Sequence, residues 1–474
     1  MKVAFGKIKL TPKDYIGRTL AGYVPIVKCD GKLDDIYARG VLIESTHKPE
    51  NLLIISLDFL KFSMKLSNYI KNKIYNRYKI PQNQILLHAI HTHKSIDLGN
   101  EFRFTGGTLS LIKNLLFGQY YSDDKYKIWI SNQIVKLVGD LLKQIKNGEP
   151  CNISWKKETI KDNIIINRRH PEIESKSQIG IISFKSLSDD KLIGIIVNYG
   201  AHPTTLNMTI SKLSADYPGR VCARIEHETN NKVSAIFFTA PAGDLNPITT
   251  CGDNFKALTE DMKPIYDQMG TYKHTKKIGY FLGDKALKIA NSIPSEEYHT
   301  DLELSVYNQF FEIPFEDYKK YWTSISLKSR ILHKIKKYFL FRLPIFMGSQ
   351  NPPNFATFNT RYYGHKIVTQ TQIQYILIKA FSKSNKKEKS MSITAIPGEL
   401  FEEIGKKILK NSPTGAENSF IFQNSNDWVG YLFPLKEYIL VGGYEPTVSF
   451  SPLTGAYVQN NFIKLVNKIK TSEQ

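Results

Sequence analysis

Six short apolar runs, each ending in a loop of small, polar or ionisable residues, constrain this chain more than any other feature. They lie at 52–57, 85–90, 192–199, 233–238, 392–396 and 420–423, and their length and composition read as buried strands. Between them, apolar residues recur three and four apart, as at Leu400, Ile404 and Ile408, or at Val458, Phe462, Leu465 and Ile469. That spacing puts them on one helix face. Strands alternating with helices imply an α/β architecture of mixed sheets flanked by helices. With 474 residues, no internal repeat and no low-complexity linker, the chain is expected to form one large domain, 1–474.

Composition narrows the function classes. Apolar residues make up 42% and aromatics 12% of the chain, spread along its length, which excludes disorder. Lys and Arg outnumber Asp and Glu by 64 to 44, a net charge of +20. Such an excess attracts anions. The cations are scattered, however, and no nucleic-acid module accompanies them, so nucleic acid is not the expected partner. One insertion, near 318–347, interleaves Lys319, Lys320, Lys328, Arg330, Lys334, Lys336, Lys337 and Arg342 with Ile, Leu, Phe and Tyr. It reads either as an element lying against an anionic membrane surface or as a lid whose Lys stems cover core. The four cysteines, Cys29, Cys151, Cys222 and Cys251, form no Cys-x-x-Cys pair, against a disulfide scaffold or thiolate zinc knuckle. No signal-like start and no run of ~20 apolar residues is found, and a cytoplasmic protein is expected.

Chemistry concentrates just past the strands, where open α/β sheets place their sites. The run at 85–90 enters His91-Thr92-His93. If the strand continues, the two imidazoles share a face and either bind one metal together or divide into ligand and substrate contact. His88 then faces the other way and reads as structural. The run at 192–199 leads to Ala201-His202-Pro203, and that at 233–238 to Gly243-Asp244-Leu245-Asn246-Pro247. The run at 392–396 leads to Pro397-Gly398-Glu399, with Glu399 expected at a helix start where the dipole favours an anion. The last leads to Asn426-Asp427-Trp428-Val429-Gly430-Tyr431.

At these residues the chain resembles the neutral ceramidase family. The likeness takes in Leu20-Ala-Gly-Tyr23, Asp34-Asp-Ile-Tyr-Ala-Arg39, Ser56-Leu-Asp58, His91-Thr-His93 and Asn167-Arg168. It continues through Ala201-His-Pro203, Gly243-Asp-Leu-Asn-Pro247, Pro397-Gly-Glu399, Gly430-Tyr431 and Glu437-Tyr438, in family order over about 430 residues. The resemblance implies four zinc ligands, His91, His202, Glu399 and Tyr431, of which tyrosinate is the rarer donor. It assigns His93 and Arg168 to substrate handling, and makes Asp58 and Asp244 groups that orient histidines or arginines. One departure stands out: where the family carries a serine essential to catalysis, this chain has Asn246. An amide cannot act as an alkoxide nucleophile, although it can donate to an oxyanion. The family's immunoglobulin-like C-terminal domain is not expected here.

The resulting expectation is a zinc-dependent hydrolase of an amide (an N-acyl compound, ceramide-like lipids included) or a related acyl bond, using metal-activated water. The alternative is a non-catalytic relative that binds a lipid or glycan-like ligand.

Overall fold

The computed structural model describes residues 1–23, 27–46, 51–98, 124–249, 270–315, 327, 331, 359–363, 366–381, 388–441, 445 and 449–473. The 318–347 insertion, apart from Leu327 and Ile331, lies outside the described residues, as does Cys251. Cys29, Cys151 and Cys222 are buried free thiols.

The chain opens with β1 (Lys2–Lys9), β2 (Gly31–Lys32), β3 (Tyr37–Glu44), β4 (Asn51–Leu57), α1 (Met64–Tyr78), β5 (Ile85–Ala89) and α2 (Asp124–Asn147). Strands β1-β3-β4-β5 form a first sheet in that order, antiparallel except for the parallel pair β4 and β5. Next come β6 (Cys151–Thr159), β7 (Ile165–Asn167), β8 (Gln178–Ser186), β9 (Leu192–Tyr199), β10 (Lys212–Leu213), α3 (Asp216–Glu228), β11 (Ser234–Thr239), β12 (Leu245–Pro247) and α4 (Tyr272–Asn291). Here the sheet order is β11-β9-β8-β6, with β9 and β11 parallel. The final part contains β13 (Asp301–Pro314), β14 (Thr360–Tyr363), β15 (Lys366–Phe381), β16 (Glu388–Ala395), β17 (Glu399–Leu400), α5 (Glu402–Asn411), β18 (Ser419–Phe422), β19 (Tyr431–Leu432) and α6 (Thr454–Glu473). Its sheet runs β13-β15-β16-β18, with β16 and β18 parallel.

Each of these three larger sheets therefore carries one parallel pair whose connection includes a helix: α1, α3 or α5. Parallel strands need such crossovers, and the crossovers leave both sheet faces covered. This explains why the runs are continuously apolar instead of alternating. In β4, Leu53, Ile55 and Leu57 pack outward with Leu66 and Ile70 of α1 and Leu137 and Leu141 of α2. Leu52 and Ile54 face inward, into a core shared with Ile196, Ile236, Phe238, Ile376, Ile393 and Phe420 from the other two sheets. A third cluster seats Ile404, Ile408, Val458 and Phe462 of α5 and α6 over Tyr375, Leu377 and Ile421. The mixed α/β architecture read from the sequence is the one observed.

The three sheets are joined at the ends of their parallel strands. Ala89 N donates to Asn424 O (3.1 Å), Asn426 N to Leu87 O (2.8 Å) and Gln423 N to Thr239 O (3.0 Å). Thr239 N donates to His88 Nε2 (3.1 Å), while Ser56 Oγ lies 3.0 Å from His88 Nδ1. His88 is thus a buried joint between sheets, in line with its structural reading. This junction brings the loops after β5, β9, β11, β16 and β18 into one place.

Candidate metal centre

The His91-Thr92-His93 segment is not a strand. β5 ends at Ala89, and His91 takes φ +74°, a left-handed conformation uncommon outside glycine. The chain turns because Ile90 N and His91 N donate to Leu57 O and Phe59 O (3.0 and 2.9 Å), leaving the β5 ladder for the loop after β4. The expected strand alternation is corrected. The rings nonetheless meet, with centroids 5.1 Å apart, through the turn and not through a shared strand face. Thr92 Oγ1 donates away, to Ser214 O (2.9 Å).

His202 follows β9 and is fixed by its N–H donating to Leu245 O (2.8 Å). Its ring lies 4.7 Å from that of His91 and 5.2 Å from that of His93. His91 Nδ1 sits 2.7 Å from Leu60 O, and His202 Nδ1 sits 3.0 Å from Ala242 O. A carbonyl only accepts, so each Nδ1 carries a proton, and in a neutral ring held this way Nε2 presents a lone pair. Burial, followed by the proximity of His91, holds His93 and His202 well below the ordinary imidazole range. Both are therefore neutral, the form in which imidazole binds metals.

Glu399 is not in the first turn of a helix. It pairs with Tyr431 in the short parallel β17–β19 ladder, while α5 starts at Glu402 with Phe401 as its N-cap. Glu402 and Glu403 are the acids of the first turn of α5, and Asp244 Oδ1 accepts from Glu402 N (2.8 Å). Glu399 is pinned elsewhere. Gln423 Oε1 accepts from both Leu400 N and Ala242 N (2.9 and 3.1 Å), locking the β11 and β16 loops together. Gly243 permits that approach, because a Cβ there would meet Glu399 O at 2.6 Å. Glu399 Oε1 accepts from Trp428 Nε1 (2.9 Å), and Oε2 lies 3.1 Å from His91 Nε2 and 3.6 Å from His202 Nε2. Burial pushes the carboxyl up. The His91 ring beside it, a hydrogen bond from Tyr431 and the Arg168 charge outweigh burial and hold it below its ordinary value.

Tyr431 stacks on His202 (6.4 Å, 19°), with the Arg168 guanidinium 5.4 Å from its ring. Arg168 is buried and donates to Asn246 Oδ1 (3.1 Å) and Gly243 O (2.6 Å), and it lies 3.3 Å from Glu445 Oε1. Its neighbours diverge: Arg169 binds Glu437 and Glu445 (2.9 and 2.7 Å), and His170 Nε2 lies 2.9 Å from Glu437 Oε1. Asn246 stands on β12, paired with Ile166. Asp244 also accepts from Asn167 Nδ2 (3.0 Å), and burial pushes its carboxyl up to about 6. Asp58 accepts from Tyr37 N (2.8 Å), with Arg39 as its main counter-charge, and burial pushes it up to about 7.

His91, His93 and His202 each bring a ring nitrogen within 4.8 Å of the others. Buried polar atoms almost always find hydrogen-bond partners. Here His202 Nε2, Glu399 Oε2 and the ring nitrogens of His93 reach none in good geometry. Lone pairs on neutral imidazoles and an anionic oxygen, gathered and unsatisfied, are what a cation would complete. The residues fit a metal ion. The sequence did not mark the fixing groups. Leu60 O and Ala242 O are backbone atoms that any residue supplies, and Gln423 and Trp428 act across sheet boundaries that only the fold defines.

Comparison with solved structures identifies the architecture. The chain is similar over 99% of its length to 74% of the neutral ceramidase from Pseudomonas aeruginosa, with a TM-score of 0.70 and 16% identity. The chain has the neutral ceramidase fold. A ceramidase complexed with C2 matches comparably, with a TM-score of 0.69, 15% identity and coverage of 99% of this chain and 75% of that one. No protein-family model and no curated protein matches. On this ceramidase fold, a buried His91, His93 and His202 cluster could hold a metal ion. Among the described residues, no helix is long and apolar enough to cross a membrane.

Proposed function

We propose that this chain is a zinc-dependent hydrolase of an amide, with an N-acyl compound of the ceramide-like class as substrate. The observation that carries the reading is the convergence of His91 Nε2, His202 Nε2 and Glu399 Oε2, of which His202 Nε2 and Glu399 Oε2 reach no hydrogen-bond partner in good geometry. His91, His202, Glu399 and Tyr431 would hold the ion. When bound, zinc polarises a carbonyl and lowers the pKa of water toward ~7.

The remaining residues take the organic chemistry. His93, neutral and facing the same point, accepts a proton as the carbonyl is attacked and returns it to the leaving amine. Asn246 Oδ1 is held by Arg168, and an amide N–H at this position is the kind of donor that stabilises an oxyanion. Arg168 supplies fixed positive charge beside them, and Asp244 holds Asn167 and the start of α5. No serine nucleophile enters this scheme. The ceramidase fold and the C2 complex of one fold relative support an acyl-lipid substrate class. The 318–347 insertion supports peripheral contact with anionic membrane, tested by sedimentation with anionic and neutral vesicles; equal binding to both refutes that contact.

Hydrolysis is tested by assaying N-acyl lipids and simpler N-acyl amines with His91→Ala as control. Amine release lost in that variant supports the proposal. Release unaffected by His91→Ala, or no release by metal-loaded protein, contradicts it. Asn246 favours a second reading, a lipid or glycan-like binder without turnover. Tight binding with ligand unchanged after long incubation distinguishes it.

A further inference from the structure

Resting on the metal-site reading above, we infer that Trp428 is a positioning residue for Glu399, and that the turn after β4 aligns both the histidine and the carboxylate side of the centre. Trp428 Nε1 donates to Glu399 Oε1 at 2.9 Å, and both side chains are buried. A carboxylate has two oxygens, and whichever is not engaged elsewhere faces the histidines. By occupying Oε1, the indole leaves Oε2 toward His91 and His202, at 3.1 and 3.6 Å. Groups that orient ligands in this way commonly change metal affinity 10- to 100-fold when removed.

The indole is itself held. Lys61 Nζ lies 3.5 Å from the centroid of its ring, a cation–π contact. A cation over the ring face draws electron density from the indole and makes Nε1–H a stronger donor. Two positions earlier, Phe59 O accepts from His91 N, and between them Leu60 O faces His91 Nδ1. Three consecutive residues thus act on the site: Phe59 and Leu60 orient His91, and Lys61 steadies the indole that orients Glu399. Indole is a donor only, so it cannot compete for the ion, and its burial prevents water from replacing it.

The test is metal affinity and indole emission, without turnover. Zinc affinity of metal-stripped wild type, Trp428→Phe and Lys61→Met is measured by competition with a chromophoric chelator. Thermal unfolding of each variant establishes that it is folded. Trp428→Phe keeps the ring and loses the N–H; its affinity is expected to fall roughly 10- to 100-fold. Lys61→Met changes a half-buried surface side chain and is expected to weaken binding roughly two- to fivefold. Titration with Co2+, which quenches nearby indoles, is expected to lower the emission of the wild type, which has four tryptophans. Trp428→Phe is expected to lose most of that quenching. Zinc binding by Trp428→Phe within twofold of wild type, or unchanged quenching, overturns the inference alone. If Trp428→Phe fails to fold, unchanged affinity in Lys61→Met overturns it. Failure of wild type itself to bind zinc overturns the metal-site reading and the inference with it.

Discussion

Replacing Glu445 by Gln removes one negative charge from a buried network behind the candidate site. Glu445 lies between Arg168 (3.3 Å) and Arg169 (2.7 Å), and its side chain is only 4% exposed. Glu437 is the second carboxylate, bound to Arg169 and His170. Without Glu445, two buried guanidiniums face one carboxylate, and water cannot compensate. Breaking a buried pair from one side costs about 3–5 kcal/mol, chiefly through the stranded charge. Unfolding entropy of about 2.1 cal/mol/K per residue makes this a drop of roughly 3–5 °C in Tm if the chain unfolds as a unit. The assay is a double-mutant cycle by thermal and urea unfolding, with Arg169→Met and the double variant. The double variant should be less destabilised than the two singles summed, by about 2 kcal/mol or more, because it removes charge of both signs. A Glu445→Gln cost below about 1 kcal/mol, or additivity within about 0.5 kcal/mol, would refute the network as a buried, coupled unit.

Three further perturbations follow from other sites. Lys71 in α1 is buried, and burial alone pushes its amine from 10.5 down to about 7. The unfolded chain then holds the proton more tightly, so stability attributable to this residue rises as pH increases from 7 toward 10.5. Lys71→Met should stabilise the protein at pH 7 by up to about 4 kcal/mol and abolish that rise; unfolding curves with parallel pH dependence in both proteins would contradict it. Gly22 has φ +102°, and a Cβ there would sit 2.5 Å from His93 Nδ1. Gly22→Ala should therefore displace the His93 ring and lower turnover at least tenfold while zinc content is retained; unchanged kcat would remove His93 from the chemistry. Asn246→Ala should lower kcat about 10²-fold with little change in zinc content, and a loss confined to KM would mean that Asn246 binds substrate without stabilising the oxyanion.

Much of the fold was legible because its strands are buried on both faces. The run read at 192–199 is β9 itself, the run at 52–57 differs from β4 by one residue at one end, and the run at 420–423 is offset from β18 by one residue at each end. A continuous apolar stretch needs no knowledge of which side is wet. Local geometry at the centre was less accessible. His-x-His in a strand and His-x-His in a left-handed turn have the same letters, and the hydrogen bonds that set φ at His91 come from Leu57 and Phe59, some thirty residues earlier. Similarly, Glu399 preceding an amphipathic helix suggested a first-turn acid. Its pairing with Tyr431 moved the helix start to Glu402, so that Glu402 and Glu403 are the first-turn acids and Asp244 accepts from Glu402 N. Backbone carbonyls that fix histidine tautomers have no sequence signature at all. Asn246 was visible as a letter, but its partnership with Arg168 required the β7–β12 pairing to bring the two together.

The proposed metal centre is built from side chains on the segments that follow the parallel strands of the three large sheets. X-ray absorption at the zinc edge, on protein loaded with one equivalent of zinc and freed of excess, tests it most directly. The account predicts about one zinc per chain with only nitrogen and oxygen neighbours at ~2.0–2.2 Å and scattering from at least two imidazoles, reduced to one in His202→Ala. Retention of less than about half an equivalent, a sulfur neighbour, or a spectrum unchanged by His202→Ala would contradict it.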